Sequence, residues 1–133
     1  MAQNLKDKVC IITGATSGMG KAIAESFYSE GAKLVLSGRN EERGNTLSKK
    51  LGKAIFIAGD VTGPSYNEKL VNIAIEKFGK LDIVSINAGI LGLGNVVDLT
   101  IADWHNTLNT NLNAIFYILY YYQIYCHGPV TLN

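Results

Sequence analysis

The sequence predicts an α/β fold in which a doubly wound parallel sheet carries helices on both faces. Four apolar, β-branched runs of strand length alternate with helical patterns, and they span 8–13, 33–37, 54–58 and 81–86. Each run is continuously apolar rather than alternating, which is typical of strands buried on both faces. Short connections between alternating strands and helices favour right-handed crossovers. We therefore expect four parallel strands in the order 3-2-1-4, followed by one long final helix.

The segments between these strands have the apolar spacing of amphipathic helices. Met19, Ile23 and Phe27 share one stripe of the first helix, and Leu70 and Ala74 share one of the third. The polar segment 40–52 predicts a solvated second helix. Three glycines follow a helix and precede a strand, where left-handed C-terminal caps are expected, namely Gly31, Gly52 and Gly79.

The final helix is predicted to begin near Thr100 and to change character after Phe116. Its expected core-facing residues are Ile101, Trp104, Leu108, Leu112 and Ile115. Five of the seven tyrosines then fall within 117–125, so the helix becomes aromatic on all sides. We interpret this cluster as a surface for packing or dimer contact rather than as a substitute catalytic acid. Gly128 and Pro129 are expected to stop the helix.

Composition bounds the class of protein and its partners. The 133 residues, 47% of them hydrophobic, suit one domain that buries about two-thirds of its unfolded surface. Twelve basic and eleven acidic residues give a net charge of +1, which indicates neither a nucleic acid nor an anionic membrane as partner. The most apolar stretch, 112–125, is shorter than the roughly 20 residues that a bilayer requires. A small-molecule ligand is therefore favoured.

Cysteine usage and the N-terminus predict a cytoplasmic protein. Cys10 and Cys126 have neither the spacing of metal ligands nor that of a disulfide framework. Two plain thiols are consistent with a reducing compartment. Charged residues appear within 1–8 before any apolar run, which is unlike a secretory signal.

A glycine-rich turn joins the first strand to the first helix and predicts a cradle for phosphate. Gly14 would allow the tight turn, Gly18 would let backbone approach a pyrophosphate, and Gly20 would let the helix pack closely. Unpaired N–H groups at the start of the helix would then face the anion. The alternative is a simple strand-to-helix loop. The candidate cofactor-binding residues here are Gly14, Thr16, Ser17, Gly18, Met19 and Gly20.

The pattern Thr13-Gly14-x-x-x-Gly18-x-Gly20 resembles the glycine motif of the short-chain dehydrogenase/reductase family. Three further landmarks of that family follow in order, and they are Asp60-Val61 after the third strand, Asn87-Ala88-Gly89 after the fourth, and Asn111 in the long helix. The resemblance covers 6–116. It implies a Rossmann half-fold that binds a nicotinamide dinucleotide, within a reductase of a small ketone or alcohol.

The resemblance also implies a role for each landmark. Asp60 and Val61 would hold the adenine ring, although Asp60 could instead cap the turn into the next helix. Asn87, with Ala88 and Gly89, would brace the strand ends, or Asn87 could simply bond a turn.

Asn111 resembles the family's catalytic asparagine, which passes protons through a water to a lysine. Its place on the apolar helical stripe predicts a buried amide, and an unpaired one would cost about 1–3 kcal/mol, so a partner is expected. The alternative is a local helix irregularity bonded to backbone.

The end of the second strand favours NADP over NAD, although NAD remains possible. An acid about 20 residues beyond the glycines would hold the ribose 2′-hydroxyl of NAD, and this chain has none there. Ser37 and Arg39 offer a hydroxyl and a guanidinium, which suit a 2′-phosphate. Alternatively, Arg39 is a surface charge that pairs with Glu41 or Glu42.

The chain departs from the family at its chemistry. The family uses a Ser on a fifth strand and a Tyr-x-x-x-Lys pair, whose ammonium lowers the pKa of the phenol. No tyrosine here is followed four residues later by lysine, and no lysine follows Lys80. We therefore expect an incomplete dinucleotide-binding domain over 1–133, family-like to about 116, with an aberrant tail over 117–133.

Three explanations of the missing half remain open. The preferred one is an incomplete gene product or isoform, inactive alone. The others are a noncatalytic nucleotide-binding or dimerisation partner and a fragment completed by another chain. In the isolated chain the fourth strand would lack its outer neighbour, which predicts self-association.

Overall fold

The computed structural model describes residues 3–52 and 54–128, and it confirms the predicted α/β fold. The strands are β1 (Val9–Ile12), β2 (Lys33–Gly38), β3 (Ala54–Ala58) and β4 (Ile83–Ser85). They form one sheet in the order β3-β2-β1-β4, and every pairing is parallel. The predicted order 3-2-1-4 is therefore correct.

Within the described residues, five helices accompany the sheet. They are α1 (Gly18–Ser29), α2 (Glu41–Lys50), α3 (Pro64–Phe78), α4 (Ile101–Leu108) and α5 (Ala114–His127), with a π-helical segment (Asn109–Asn113) joining the last two. Among the residues described, no helix combines the length and apolar character that a membrane crossing would require.

The two faces of the sheet pack against different helices. Cys10 and Ile12 of β1 face the side covered by α1 and α2, where Ala24 and Leu47 are buried. The alternate residues of β1 and β2 face α3 and α5, and the buried residues on that side include Val9, Ile11, Val35, Leu70 and Ile118. This two-sided burial explains why the strands read as continuous apolar runs.

The predicted glycine caps are right at two positions and wrong at the third. Gly31 and Gly79 have φ of +89° and +83°, as left-handed caps require. Gly52 has no positive φ, because α2 ends at Leu51 with φ −97°. Leu51 is buried and its carbonyl accepts the Ala54 N–H, so the chain enters β3 without a left-handed residue.

The final helix begins where the sequence predicts but does not bury the predicted face. Thr100 is the N-cap, in a capping box with Asp103. Ile101, Trp104 and Leu112 are nevertheless 77%, 56% and 59% exposed. No residue of α4 is buried, and the π-helical segment that follows breaks the 3.6-residue period for the later positions.

The tyrosine-rich part of α5 packs against α3 and the sheet. Ile118 is 1% exposed, and Tyr121, Tyr122 and Cys126 contact the same cluster. Tyr125 lies at the surface, where its hydroxyl donates to Glu68 of α3. The aromatic cluster therefore serves packing in part, as the sequence suggests, and Pro129 lies outside the described residues.

Candidate active site

The carboxyl ends of the four strands open into one cavity of about 460 Å³. Ligands of open parallel α/β sheets bind at this edge. All thirteen residues that the sequence nominates for cofactor binding line the cavity, and they are Gly14, Thr16, Ser17, Gly18, Met19, Gly20, Ser37, Arg39, Asp60, Val61, Asn87, Ala88 and Gly89. The fold therefore brings together positions that lie up to 75 residues apart.

Each of the three glycines in the turn is favoured over larger residues for a different steric reason. A Cβ at Gly14, which has φ +63°, would lie 2.8 Å from the Ala88 nitrogen, so this turn packs against the chain after β4. A Cβ at Gly20 would lie 2.1 Å from the Gly14 carbonyl oxygen. Gly18 has φ +54° and no atom within 4 Å of its Cβ position, so its side of the turn is open to a ligand.

Thr13 ties the end of β1 to the segment after β4. Its hydroxyl oxygen accepts from the Asn87 N–H at 3.0 Å and from the Ala88 N–H at 3.2 Å. The Asn87 side chain donates to the Ser85 hydroxyl at 2.9 Å. The strand ends are thus braced through the Asn87 backbone and Thr13, while the Asn87 side-chain amide bonds to Ser85, two residues earlier.

Asp60 stabilises a turn at the cavity wall. Its carboxylate accepts from the Thr62 N–H at 2.9 Å, and this bond lowers the pKa of the carboxyl, with a smaller contribution from the Arg39 charge. The N-cap of α3 is Gly63 rather than Asp60. The carboxylate therefore holds the turn and still lies, exposed, at the cavity.

Ser37, near the end of β2, and Arg39, directly after the strand, are placed differently from each other. Arg39 is exposed at the cavity and forms no ion pair with Glu41 or Glu42 among the described residues. Ser37 is fully buried, and its hydroxyl lies 2.8 Å from the Tyr66 hydroxyl of α3. The Ser37 hydroxyl is therefore engaged inside the protein.

Asn111 does not line the cavity and pairs with its rim instead. Its Nδ2 donates to the Ile90 carbonyl at 2.7 Å, and its Oδ1 accepts from the Ile90 N–H at 2.8 Å. The expected partner is thus backbone, and Asn111 lies in the π-helical segment, as the structural alternative anticipated. The expected burial is wrong, because Asn111 is exposed and no described element covers that side of the helix.

Several lining residues escaped the sequence analysis. They are Gly38, Asn40, Arg43, Gly59, Ile90 and Thr110. Most directly adjoin a nominated residue, so the signal that could have found them is sequence proximity. Arg43 also lines a neighbouring cavity of about 430 Å³ between α1 and α2, together with Lys21 and Lys50. Within 3–52 and 54–128, no three His, Cys, Asp or Glu side chains cluster as metal ligands would.

Known proteins share both the sequence and the fold. An uncharacterised oxidoreductase of Listeria monocytogenes is 41% identical over 115 residues, covering 84% of this chain and 46% of the relative. One from Staphylococcus aureus is 36% identical, covering 85% and 50%. The chain thus spans about half the length of the curated relatives it matches.

Two solved structures match with TM-scores near 0.9. A short-chain dehydrogenase/reductase from Brucella melitensis has a TM-score of 0.90 and 32% identity, over 95% of this chain and 54% of that one. A short chain dehydrogenase from Burkholderia cenocepacia, solved in complex with NADP, has a TM-score of 0.87 and 31% identity, over 92% and 52%. The sequence model of the short chain dehydrogenase family matches residues 8–122. The chain therefore belongs to the short chain dehydrogenase family.

Proposed function

We propose that this chain is the NADP-binding part of a short-chain oxidoreductase that transfers hydride between NADP(H) and a carbonyl or alcohol substrate. The observation that carries the proposal is the cavity of about 460 Å³ at the carboxyl ends of the strands, which the glycine turn and the start of α1 line. A bound nicotinamide dinucleotide would supply the hydride. The family-like region would extend to about 116.

The residues present fit a dinucleotide. The open wall at Gly18 and the unpaired N–H groups at the start of α1 suit a pyrophosphate, because a helix N-terminus carries partial positive charge. Asp60 and Val61 would border the adenine ring. Asn87, Ala88 and Gly89 would border the part of the cavity nearest Asn111, whose pairing with Ile90 would hold that rim in place.

Four observations support NADP rather than NAD. Arg39 leaves its guanidinium available at the cavity, and the chain places no acid at the end of β2. A side chain at Gly38 would have to displace Thr16, since its Cβ would lie 2.5 Å from Thr16 Cγ2. One structural neighbour was solved in complex with NADP.

We expect wild type to bind NADPH more tightly than NADH, and Arg39→Ala to remove most of that preference. Loss of the contact with the 2′-phosphate should weaken NADPH by about 1–3 kcal/mol, with little effect on NADH. Titration followed by nicotinamide fluorescence measures both affinities. Lys69→Ala removes an exposed cation of α3 outside the cavity and serves as the control. Equal affinities of wild type for the two cofactors would contradict the assignment.

The 133-residue chain on its own is proposed to be inactive. Its sequence has no Tyr-x-x-x-Lys pair, and its Asn111 is engaged with the Ile90 backbone. Oxidation of NADPH by the purified chain with a small ketone would contradict this. The free thiols of Cys10 and Cys126 suit a reducing compartment such as the cytoplasm.

A further inference from the structure

A tyrosine outside the cavity links the two strands that would border the adenosine half of the cofactor. Tyr66 lies in the first turn of α3, and its hydroxyl donates to the Ile57 carbonyl of β3 at 2.7 Å. The same oxygen lies 2.8 Å from the Ser37 hydroxyl of β2. A phenol hydroxyl can donate only one hydrogen bond, and that of Tyr66 donates to the Ile57 carbonyl. The Ser37 hydroxyl therefore donates to the Tyr66 oxygen.

The ring of Tyr66 also determines where the segment after β3 can lie. A Cβ at Gly59 would be 2.2 Å from Cε2 of this ring, so the Gly59 backbone rests directly against it. Gly59 lines the cavity beside Asp60 and Val61. Any shift of the ring would therefore move the wall at which Asp60 lies.

The neighbouring Asn67 holds the other side of the same segment. Its Nδ2 donates to the Val61 carbonyl at 2.8 Å and to the Gly63 carbonyl at 2.9 Å, and the residue is 1% exposed. The segment 59–63 is thus fixed at its far end by Asn67. Its near end, which carries Gly59 and Asp60, is held by the Gly59 N–H, which donates to the Gly38 carbonyl at 3.0 Å, and by contact with the Tyr66 ring.

We propose that Tyr66 is a positioning residue for the adenosine half of the dinucleotide site, acting through Gly59 and through the link between Ser37 and Ile57. The inference rests on the proposed function. Burial raises the pKa of the Tyr66 hydroxyl, so it stays protonated and keeps donating to Ile57 across the neutral range.

The test compares wild type with Tyr66→Phe, which keeps the ring and removes the hydroxyl. We expect Tyr66→Phe to weaken adenosine 2′,5′-bisphosphate and NADPH by the same factor, roughly tenfold, the ratio that corresponds to about 1.4 kcal/mol. Amide exchange should accelerate more over 57–63 than over β1, and the melting temperature should fall, because the substitution leaves the buried Ser37 hydroxyl without its acceptor. Tyr28→Phe, a half-buried tyrosine of α1 outside the cavity, should match wild type.

Ser37→Ala cuts the same link from β2 and gives a second measurement should Tyr66→Phe fold poorly. The variant that combines Tyr66→Phe with Ser37→Ala should bind the bisphosphate about as weakly as the weaker-binding single variant, because both substitutions remove the same link. Unchanged affinity for the bisphosphate in a folded Tyr66→Phe would overturn the inference, as would faster exchange spread evenly over β1–β4. Wild type that binds neither probe would instead overturn the proposed function.

Discussion

Replacing Gly20 by alanine is expected to abolish dinucleotide binding and to lower the free energy of unfolding substantially. The added Cβ would lie 2.1 Å from the Gly14 carbonyl oxygen, and 2.7 Å from its carbonyl carbon. Both contacts are with backbone, so no rotamer change relieves them. Overpacking commonly costs about 1–3 kcal/mol, which outweighs the roughly 1 kcal/mol that alanine gains over glycine in a helix. Urea unfolding and NADPH titration measure the two effects.

Alanine substitutions at two other glycines distinguish the effect of a steric clash from the effect of a blocked binding surface. Gly52→Ala should change stability by less than about 0.5 kcal/mol, because no atom lies within 4 Å of its Cβ position and its φ is ordinary. Gly18→Ala should cost about 1–2 kcal/mol for its left-handed backbone but still fold, while its methyl group blocks the open wall. Gly20→Ala with wild-type stability and affinity would show that the turn does not pack as described.

The second large effect concerns association of the isolated chain. We expect concentration-dependent self-association, because β4 pairs only with β1 among the described residues and leaves one edge open. Large apolar side chains are exposed on the loop after β4 and on the last two helices, and they include Leu91, Leu93, Val96, Val97, Ile101, Trp104, Leu112 and Phe116. A surface of this kind favours contact with a second copy.

Sedimentation over a concentration series measures the association. Wild type should shift from monomer towards dimer or larger species as concentration rises. Trp104→Lys with Phe116→Lys should weaken the shift, whereas His105→Lys adds charge to the same helix without removing apolar surface. A wild-type chain that stays monomeric throughout, with a cooperative melt, would contradict this prediction.

The sheet and its cavity could be predicted because their determinants are local. Buried parallel strands read as apolar runs, and the glycine turn needs its glycines for contacts within a few residues, as between Gly20 and Gly14. Strand order then brings Asp60 and Asn87 to the same edge without further information. This is why thirteen nominated residues line one cavity, although their binding roles stay predictions.

The features that could not be predicted depend on contacts that the sequence pattern does not reveal. The π-helical segment at 109–113 interrupts the 3.6-residue period between α4 and α5, and no periodicity indicates where such a segment falls. The sequence does not indicate that the Ser37 hydroxyl is hydrogen-bonded to Tyr66, 29 residues away. Gly52 follows a helix in sequence, but buried Leu51 ends that helix with an ordinary φ.

Hydrogen exchange of the purified chain, measured with and without saturating NADPH, tests most directly whether the cavity at the strand ends binds a nicotinamide dinucleotide. We predict slower exchange over 14–20, 59–63 and 87–90, with α2 beyond its first turn unchanged. Saturable binding that leaves 14–20 unprotected, or protection confined to α4 and α5, would contradict it.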